Sequence, residues 1–210
     1  MNAIAPITTA ASKTTTRTEH ARHRFTVEDV MRMTEVGILD SDARIELMDG
    51  ELIDMPSEGT AHVWFKVLLN QLIVRLLPPG FFLAPDATLI LSPHDAPEPD
   101  IYVVEGVEPF ADIEPAHVRL VLEVADSSVS YDVGRKRRKY AGFGISEYWV
   151  LDVPGRRIHR FRRPDAGDYG DRSEHTFDAA LSPERIPGLT VMIADLPGID
   201  GLTDQTLKKL

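Results

Sequence analysis

Residues 118–124, VRLVLEV, constrain the fold most, because they predict an apolar β-strand that carries an acid. Side chains alternate between the two faces of a strand. One face holds Val118, Leu120, Leu122 and Val124, and the other holds Arg119, Val121 and Glu123. A carboxylate in so apolar a strand must find a counter-charge, a hydrogen-bond network or a metal ion, because an unpaired buried carboxylate is costly. Glu123 is therefore the first candidate site residue.

A β-hairpin is predicted upstream, in the segment RIELMDGELIDM. The dipeptide Asp49-Gly50 lies between two arms of alternating polarity and favours a type I′ turn. The register that follows pairs Met48 with Glu51, Leu47 with Leu52, and Glu46 with Ile53. Because paired residues share a face, the carboxylate of Glu46 lies on the same side of the hairpin as Met48.

Three segments predict helices. RFTVEDVMRM begins after Thr26, a suitable N-cap. HVWFKVLLNQLIVRLLPPG is apolar around most of its circumference and ends at a Pro-Pro-Gly sequence. SSVSYDVGRKRRKYAGFG is the third. The last two each carry a narrow polar stripe at a spacing of one helical turn: His62, Lys66 and Asn70 in one, and Asp132, Lys136 and Tyr140 in the other.

Further strands are predicted in ATLIL and DIYVV, and SEYWVLDVPGRRIHRF predicts two strands around a Pro-Gly turn. LTVMIADL is either a final strand or a short helix. The order of elements predicts one α/β domain, with a mixed central β-sheet flanked by helices. We place this domain at residues 23–200, between a disordered N-terminal tail (1–22) and a C-terminal tail (201–210).

Composition narrows the class of protein. The 210 residues include no cysteine, which excludes disulfides and thiolate metal sites and favours a cytoplasmic protein. No apolar run approaches the ~20 residues of a membrane helix. The net charge of −10 argues against a nucleic-acid partner, yet residues 131–163 contain ten lysines and arginines against three acids. That segment is either a basic patch for a polyanion or a solvated helix face plus an exposed hairpin.

Asp100 stands at the start of the strand DIYVV and can meet Glu123 if the two strands are neighbours. Two carboxylates that close repel each other unless a cation lies between them. Oxygen ligands favour Mg²⁺ or Mn²⁺, and Lys136 from the following helix can complete the group.

Each of these residues also has a purely structural interpretation. Asp100 follows a proline and can be a turn residue. Glu123 can pair with Arg119 or with a helix residue, and Glu46 with Lys66 or Arg44. Lys136 lies in RKRRK, which is typical of a solvated basic face. His62 can be an ordinary residue of a helix N-terminus.

The joint order of several motifs resembles a known family. The motifs are RIELMDGEL, a histidine at a helix start, PD before a strand, LVLEVADSS, and DVGRKRRKYAGFGISEYWVLD. Together they are similar to the Uma-type "putative restriction endonuclease" family, long catalogued as a domain of unknown function, within the PD-(D/E)XK nuclease superfamily. The resemblance covers roughly residues 24–163. It implies a restriction-endonuclease-like core.

The resemblance also implies roles for individual residues. Asp100 and Glu123 match the two metal-binding acids, and Val124 would add its backbone carbonyl. The superfamily places its lysine two residues after the second acid, where this chain has Ala125. Lys136 matches the lysine that the family carries on the next helix. Glu46 matches an upstream acid of the cluster. Residues that would contact substrate are His62, Tyr140 and Arg135.

The predicted function is therefore that of a Mg²⁺- or Mn²⁺-dependent endonuclease acting on DNA. Double-strand cleavage would favour a two-fold homodimer. The alternative is a catalytically inactive nuclease-fold module that binds nucleic acid or a protein partner, in keeping with the net charge and with Ala125. A small-molecule hydrolase is a weaker third hypothesis, because the glycines form no phosphate-binding loop.

Overall fold

The structure is a computed structural model that describes residues 22–106 and 112–199. The two predicted tails therefore lie almost wholly outside the described residues, and the domain bounds at 23 and 200 stay predictions. Between them, the predicted fold class is confirmed: the chain is a mixed α/β structure built around a six-stranded sheet.

The N-terminal part forms a helix and a hairpin. Helix α1, Val27–Glu35, begins at a capping box in which Thr26 and Asp29 bond each other's backbone N–H groups. The hairpin pairs β1 (Ile45–Met48) with β2 (Glu51–Asp54), and its predicted register is confirmed, with Glu46 opposite Ile53. The turn places both Asp49 and Gly50 at positive φ, as a type I′ turn requires.

The main sheet has its strands in chain order across its width. Its strands are β3 (Phe81–Pro85), β4 (Ile101–Glu105), β5 (Val118–Ala125), β6 (Glu147–Asp152), β7 (Arg157–Asp165) and β8 (Asp168–Thr176). Strands β5 and β6 are parallel, and the other neighbours are antiparallel. The sheet is therefore mixed, as predicted.

Helices cover both faces of the sheet. Helix α2, Thr60–Leu76, packs Phe65, Leu69 and Ile73 against one face. The helical connection between β5 and β6 covers the other face through Tyr140 and Ala141. This connection consists of α3 (Val129–Tyr131), a π-helical turn (Asp132–Lys136) and α4 (Arg137–Gly142). In the described ranges, no helix has the length and apolar character needed to cross a membrane.

One strand prediction was wrong, and the segment predicted as either a strand or a short helix has elements of both. Residues 87–91, ATLIL, form no strand but a loop whose backbone bonds Pro97 and Asp95. The run is apolar because Leu89 is buried, and burial alone does not require a sheet partner. LTVMIADL contributes an isolated bridge from Val191 to Leu181 and a 3₁₀ turn, Ile193–Asp195.

The predicted alternation along β5 holds for most of its length. Leu120, Leu122 and Val124 pack toward α2, whereas Val121 and Ala125 pack toward α4. Val118 is the exception: an irregularity in the pairing of β4 with β5 turns it to the α4 side. Glu123 therefore projects toward the helical connection between β5 and β6.

The hairpin turn generates a testable prediction about stability. A Cβ at position 50 would lie 2.6 Å from the Cβ of Arg24 and 2.9 Å from its Cα, at a φ of +76°. We expect Gly50→Ala to lower the free energy of unfolding by about 1–3 kcal/mol more than Gly80→Ala, because overpacking adds to backbone strain. Gly80 is the matched control, with a φ of +89° and open space around it. Equal losses in urea unfolding would contradict the close contact.

Candidate active site

The candidate site lies where β4 begins and β5 ends. The strands are antiparallel neighbours, and Ile101 pairs with Leu122, so Asp100 stands opposite Glu123. The Asp100 backbone N–H donates to Glu123 Oε2 at 3.4 Å, and the Val124 N–H donates to Asp100 Oδ2 at 2.7 Å. The structure thus brings together the two acids that the sequence singled out.

A cavity of about 260 Å³ opens at this point. It is lined by residues from the hairpin, from the start of α2 and from both strand ends. Its acidic lining residues are Glu46, Glu58, Glu98, Asp100, Glu123, Asp126 and Asp132, and its basic ones are Arg44 and Lys136. His62 lines it as well. The pocket is strongly acidic.

Lys136 neutralises the deepest part of this pocket. Its ammonium donates to Glu123 Oε1 at 2.9 Å, lies 2.8 Å from Glu46 Oε1, and has Asp132 at 3.9 Å. The lysine is only 2% exposed. Burial disfavours the ammonium, but the carboxylates of Glu123 and Glu46 raise the pKa of Lys136 above its ordinary value. Lys136 is therefore a buried counter-charge and not part of a solvated face.

Glu46 reaches the same point from the hairpin. Its Oε1 accepts the backbone N–H of Glu98 at 3.1 Å as well as the contact with Lys136. Its Oε2 is buried and has no hydrogen-bond partner among the described residues. Glu46 thus brings to the cavity a carboxylate oxygen that is free to accept a further bond.

The π-helical turn sets the direction of these side chains. Such turns are rare and occur frequently at functional sites. Asp132 and Lys136 are its buried residues, and Tyr140 follows on α4 and donates its hydroxyl to Glu123 Oε1 at 3.0 Å. The predicted stripe is therefore turned inward. Burial raises the pKa of Asp132 to about 6 and raises that of Glu123 well above its ordinary value, against the opposing effect of Lys136.

Two residues predicted to contact substrate lie elsewhere. Tyr140 is fully buried and bonds Glu123, so it positions that carboxylate. Arg135 extends over the hairpin turn, where it bonds the Met48 carbonyl and the carboxylates of Asp49 and Glu51. Neither of them lines the cavity.

His62 does line the cavity. Its Nε2 lies 3.1 Å from Asp100 Oδ1 and 3.7 Å from Glu58 Oε1. Burial opposes ionisation of Asp100, but the bonds from His62 and the Val124 N–H hold the pKa of this carboxyl below its ordinary value. Asp100 is therefore an ionised ligand candidate.

The sequence-based reasoning missed Glu58. Its ligand atom and those of His62 and Asp100 lie within 4.8 Å of one another. Glu58 stands in the loop before α2, four residues ahead of His62. Extending the stripe of His62, Lys66 and Asn70 backwards by four residues would have found it.

The structural alternatives for the acids have clear outcomes. Arg119 pairs with Glu105 and not with Glu123, which pairs instead with Lys136 of the helical connection. Glu46 pairs with Lys136, whereas Lys66 and Arg44 both pair with Glu58.

The basic segment is largely neutralised by acids. Its ion pairs include Arg137 with Asp168, Arg160 with Glu147, Arg162 with Asp171, and Lys139 with Asp95. Residues 131–163 therefore do not form a continuous free basic surface.

Comparison with known proteins now identifies the family. The sequence model of the Uma2 family, described as "Putative restriction endonuclease", matches residues 27–196. The chain belongs to the Uma2 family. The matched range includes α1, the hairpin and every strand of the main sheet, so Uma2 membership covers all the elements that build the pocket.

A solved structure shares this fold. It is described as "a putative nuclease belonging to DUF820" from Anabaena variabilis ATCC 29413. The TM-score is 0.65 at 16% sequence identity, and the match covers 83% of this chain and 98% of that one. The predicted restriction-endonuclease-like core is thus confirmed as a nuclease fold for this Uma2 member. No curated protein matches the chain.

Removing the buried ammonium tests the electrostatics of the Uma2 pocket. We expect Lys136→Met to lower the free energy of unfolding by about 3–5 kcal/mol, because it leaves Glu123 and Glu46 buried without a counter-charge. Arg138→Met, exposed on the same helix, is the control and should change stability by less than about 0.5 kcal/mol. Urea unfolding measures both.

The loss of unfolding free energy in Lys136→Met should depend on pH. Burial raises the pKa of Glu123 against the opposing charge of Lys136, so without the lysine this carboxyl binds a proton in the folded state at a pH where the unfolded chain has released it. A folded-state pKa raised in this way gives stability that is present at low pH and is lost as pH rises through the raised value. The difference from wild type should therefore be smaller at about pH 5 than at about pH 8. A loss that is independent of pH would contradict this electrostatic origin.

Proposed function

We propose that this protein is an endonuclease that hydrolyses DNA phosphodiester bonds with Mg²⁺ or Mn²⁺ bound in the acidic pocket. The observation that carries the proposal is the meeting of Asp100 and Glu123 at adjoining strand ends, in a chain of the Uma2 family. Oxygen donors in an acidic cavity fit a hard divalent cation.

The ligands of that cation would be Asp100, Glu123 and the backbone carbonyl of Val124. The Val124 N–H points to Asp100, and in a strand the N–H and C=O of one residue project to the same side. Ala125 supports this direction, because its carbonyl turns the other way and accepts the N–H of Val153. When bound, the cation supplies an activated water and stabilises the charge that develops at phosphorus.

Lys136 and Tyr140 position Glu123 in this proposal. Both bond Glu123 Oε1, which leaves Oε2, near the Asp100 backbone, as the oxygen for the cation. Lys136 thus acts from the helix although position 125 carries alanine. Glu46 in turn keeps the lysine in place.

The charge of the pocket explains why a cation is needed. Seven carboxylates face two basic side chains around the cavity. A phosphodiester anion is repelled from such a surface unless cations neutralise it. His62 lies beside Asp100 at the mouth of the site.

A cleavage assay with plasmid and branched DNA tests the proposal. We expect cutting in Mg²⁺ or Mn²⁺, none in excess chelator, and a loss of at least about 1,000-fold in Asp100→Asn, which removes an ionised cation ligand. Glu105→Gln is the matched control, since it neutralises an acid at the opposite end of the same strand, where it pairs with Arg119. It should cut like wild type.

The alternative hypothesis predicts a different pattern. An inactive nuclease-fold module would bind DNA or a protein partner without cutting the plasmid or the branched DNA. Wild-type protein that behaves like Asp100→Asn in the presence of both cations would rule out the nuclease proposal.

A further inference from the structure

We propose that the pocket binds two divalent cations, the second held by Glu58 and His62 with Asp100 shared between both ions. This inference deepens the proposed nuclease function and rests on it for its purpose, although cation binding can be measured separately. Glu58 then becomes a metal ligand.

The spacing of the three donor atoms fits a cation. His62 Nε2 lies 3.1 Å from Asp100 Oδ1 and 3.7 Å from Glu58 Oε1. Two octahedral ligands about 2.1 Å from Mg²⁺ and at right angles lie roughly 3.0 Å apart. The carboxylate of Glu58 needs to move little to complete the set, because Glu58 stands only four residues before His62, next to the start of α2.

Asp100 is oriented to serve two ions. Its Oδ1 faces His62, and its Oδ2 faces the N–H of Val124 at the end of β5. The two oxygens of this carboxylate thus point toward different ligand groups. A carboxylate in this arrangement can bridge two cations, and ions about 3.5–4 Å apart clamp the attacking and leaving oxygens in phosphodiester cleavage.

The charge of the cavity supports a second ion. The lining has seven carboxyl groups against two basic side chains, and Lys66 beside Glu58 adds a third positive charge. Three bases and one divalent cation carry fewer charges than there are carboxyl groups, so the cavity has acids left for a second ion. The buried, unpartnered Oε2 of Glu46 adds an oxygen acceptor to the same cavity.

The position beside Glu58 already attracts positive charge. Lys66 Nζ lies 2.7 and 2.8 Å from the two oxygens of Glu58 and 3.8 Å from Asp100 Oδ1. The same ammonium bonds Asp86 at 2.6 Å. Arg44 also bonds Glu58 Oε1, at 2.6 Å. When the second ion binds, Lys66 can keep its bond to Asp86 and Arg44 its bond to the Pro56 carbonyl, so both side chains compete with the ion without preventing its binding.

Isothermal titration calorimetry of the full chain with Mn²⁺ tests this assignment. We expect two ions per wild-type chain and one per chain for Glu58→Gln, with the second affinity lowered at least about 100-fold. His62→Asn, on α2, should lose the same ion and guards against misfolding of the first variant. Glu98→Gln is the matched control: it removes an equal charge from the same cavity, but its side chain bonds Thr88. It should keep two ions.

The variant Lys66→Met tests whether the second positive charge beside Glu58 is a bound ion or the lysine itself. We expect it to keep two ions and to bind the second at least about 10-fold more tightly, because the competing ammonium is gone. One ion in wild type and two in Lys66→Met would overturn the proposal, since Lys66 would then fill the position itself. An unchanged count of ions in Glu58→Gln and His62→Asn would overturn it as well.

The same titration distinguishes this inference from the nuclease proposal. Two bound ions with no DNA cleavage would leave the second site standing and refute the nuclease function. Cleavage by a wild-type protein that binds one ion would support the nuclease function and refute the second site.

Discussion

A single buried ammonium group joins three distant parts of this chain. Lys136 Nζ meets Glu46 from the hairpin and Glu123 from the central strand, and it arrives on the helical connection between β5 and β6. Removal of either carboxylate or ammonium from water costs several kcal/mol per ion, which their mutual attraction offsets only with good geometry. Among the described strands, the hairpin pairs with none of the main sheet. It is held at the site by this contact, by the bonds of Arg135 to its turn, and by the bonds around Asp49, Asp95 and Ala96.

The three central acids of the pocket, Glu46, Asp100 and Glu123, have different hydrogen-bond partners. Glu123 uses one oxygen to bond Lys136 and Tyr140, and Glu46 uses one to hold the same lysine. Asp100 bonds a histidine and a backbone N–H instead. For Asp100 these bonds outweigh burial and hold its pKa below the ordinary value, whereas for Glu123 burial outweighs the opposing charge of Lys136 and raises the pKa. Ionisation is therefore favoured at Asp100 and disfavoured at Glu123.

The sequence predicted the parts of this architecture that have a local signal. The Asp49-Gly50 turn fixed the register of the hairpin, and alternation along β5 singled out Glu123. Strand β3 was missed because it follows a Pro-Pro-Gly turn and ends in proline, and β8 because its exposed face is polar throughout. Glu58 was missed because it stands in the loop before α2, outside the predicted helix, although it continues the spacing of the His62 stripe. The stripe of Asp132, Lys136 and Tyr140 distinguishes Lys136 from its neighbours, but no local pattern reports that Arg135 turns toward the hairpin.

The connection that carries Lys136 is also the crossover between β5 and β6, the parallel pair among the described strands. Parallel strands cannot pair until the chain between them has folded back. The stretch of chain that allows β5 and β6 to pair is therefore the same one that brings Lys136 to Glu123. Closure of the sheet and completion of the pocket depend on one connection.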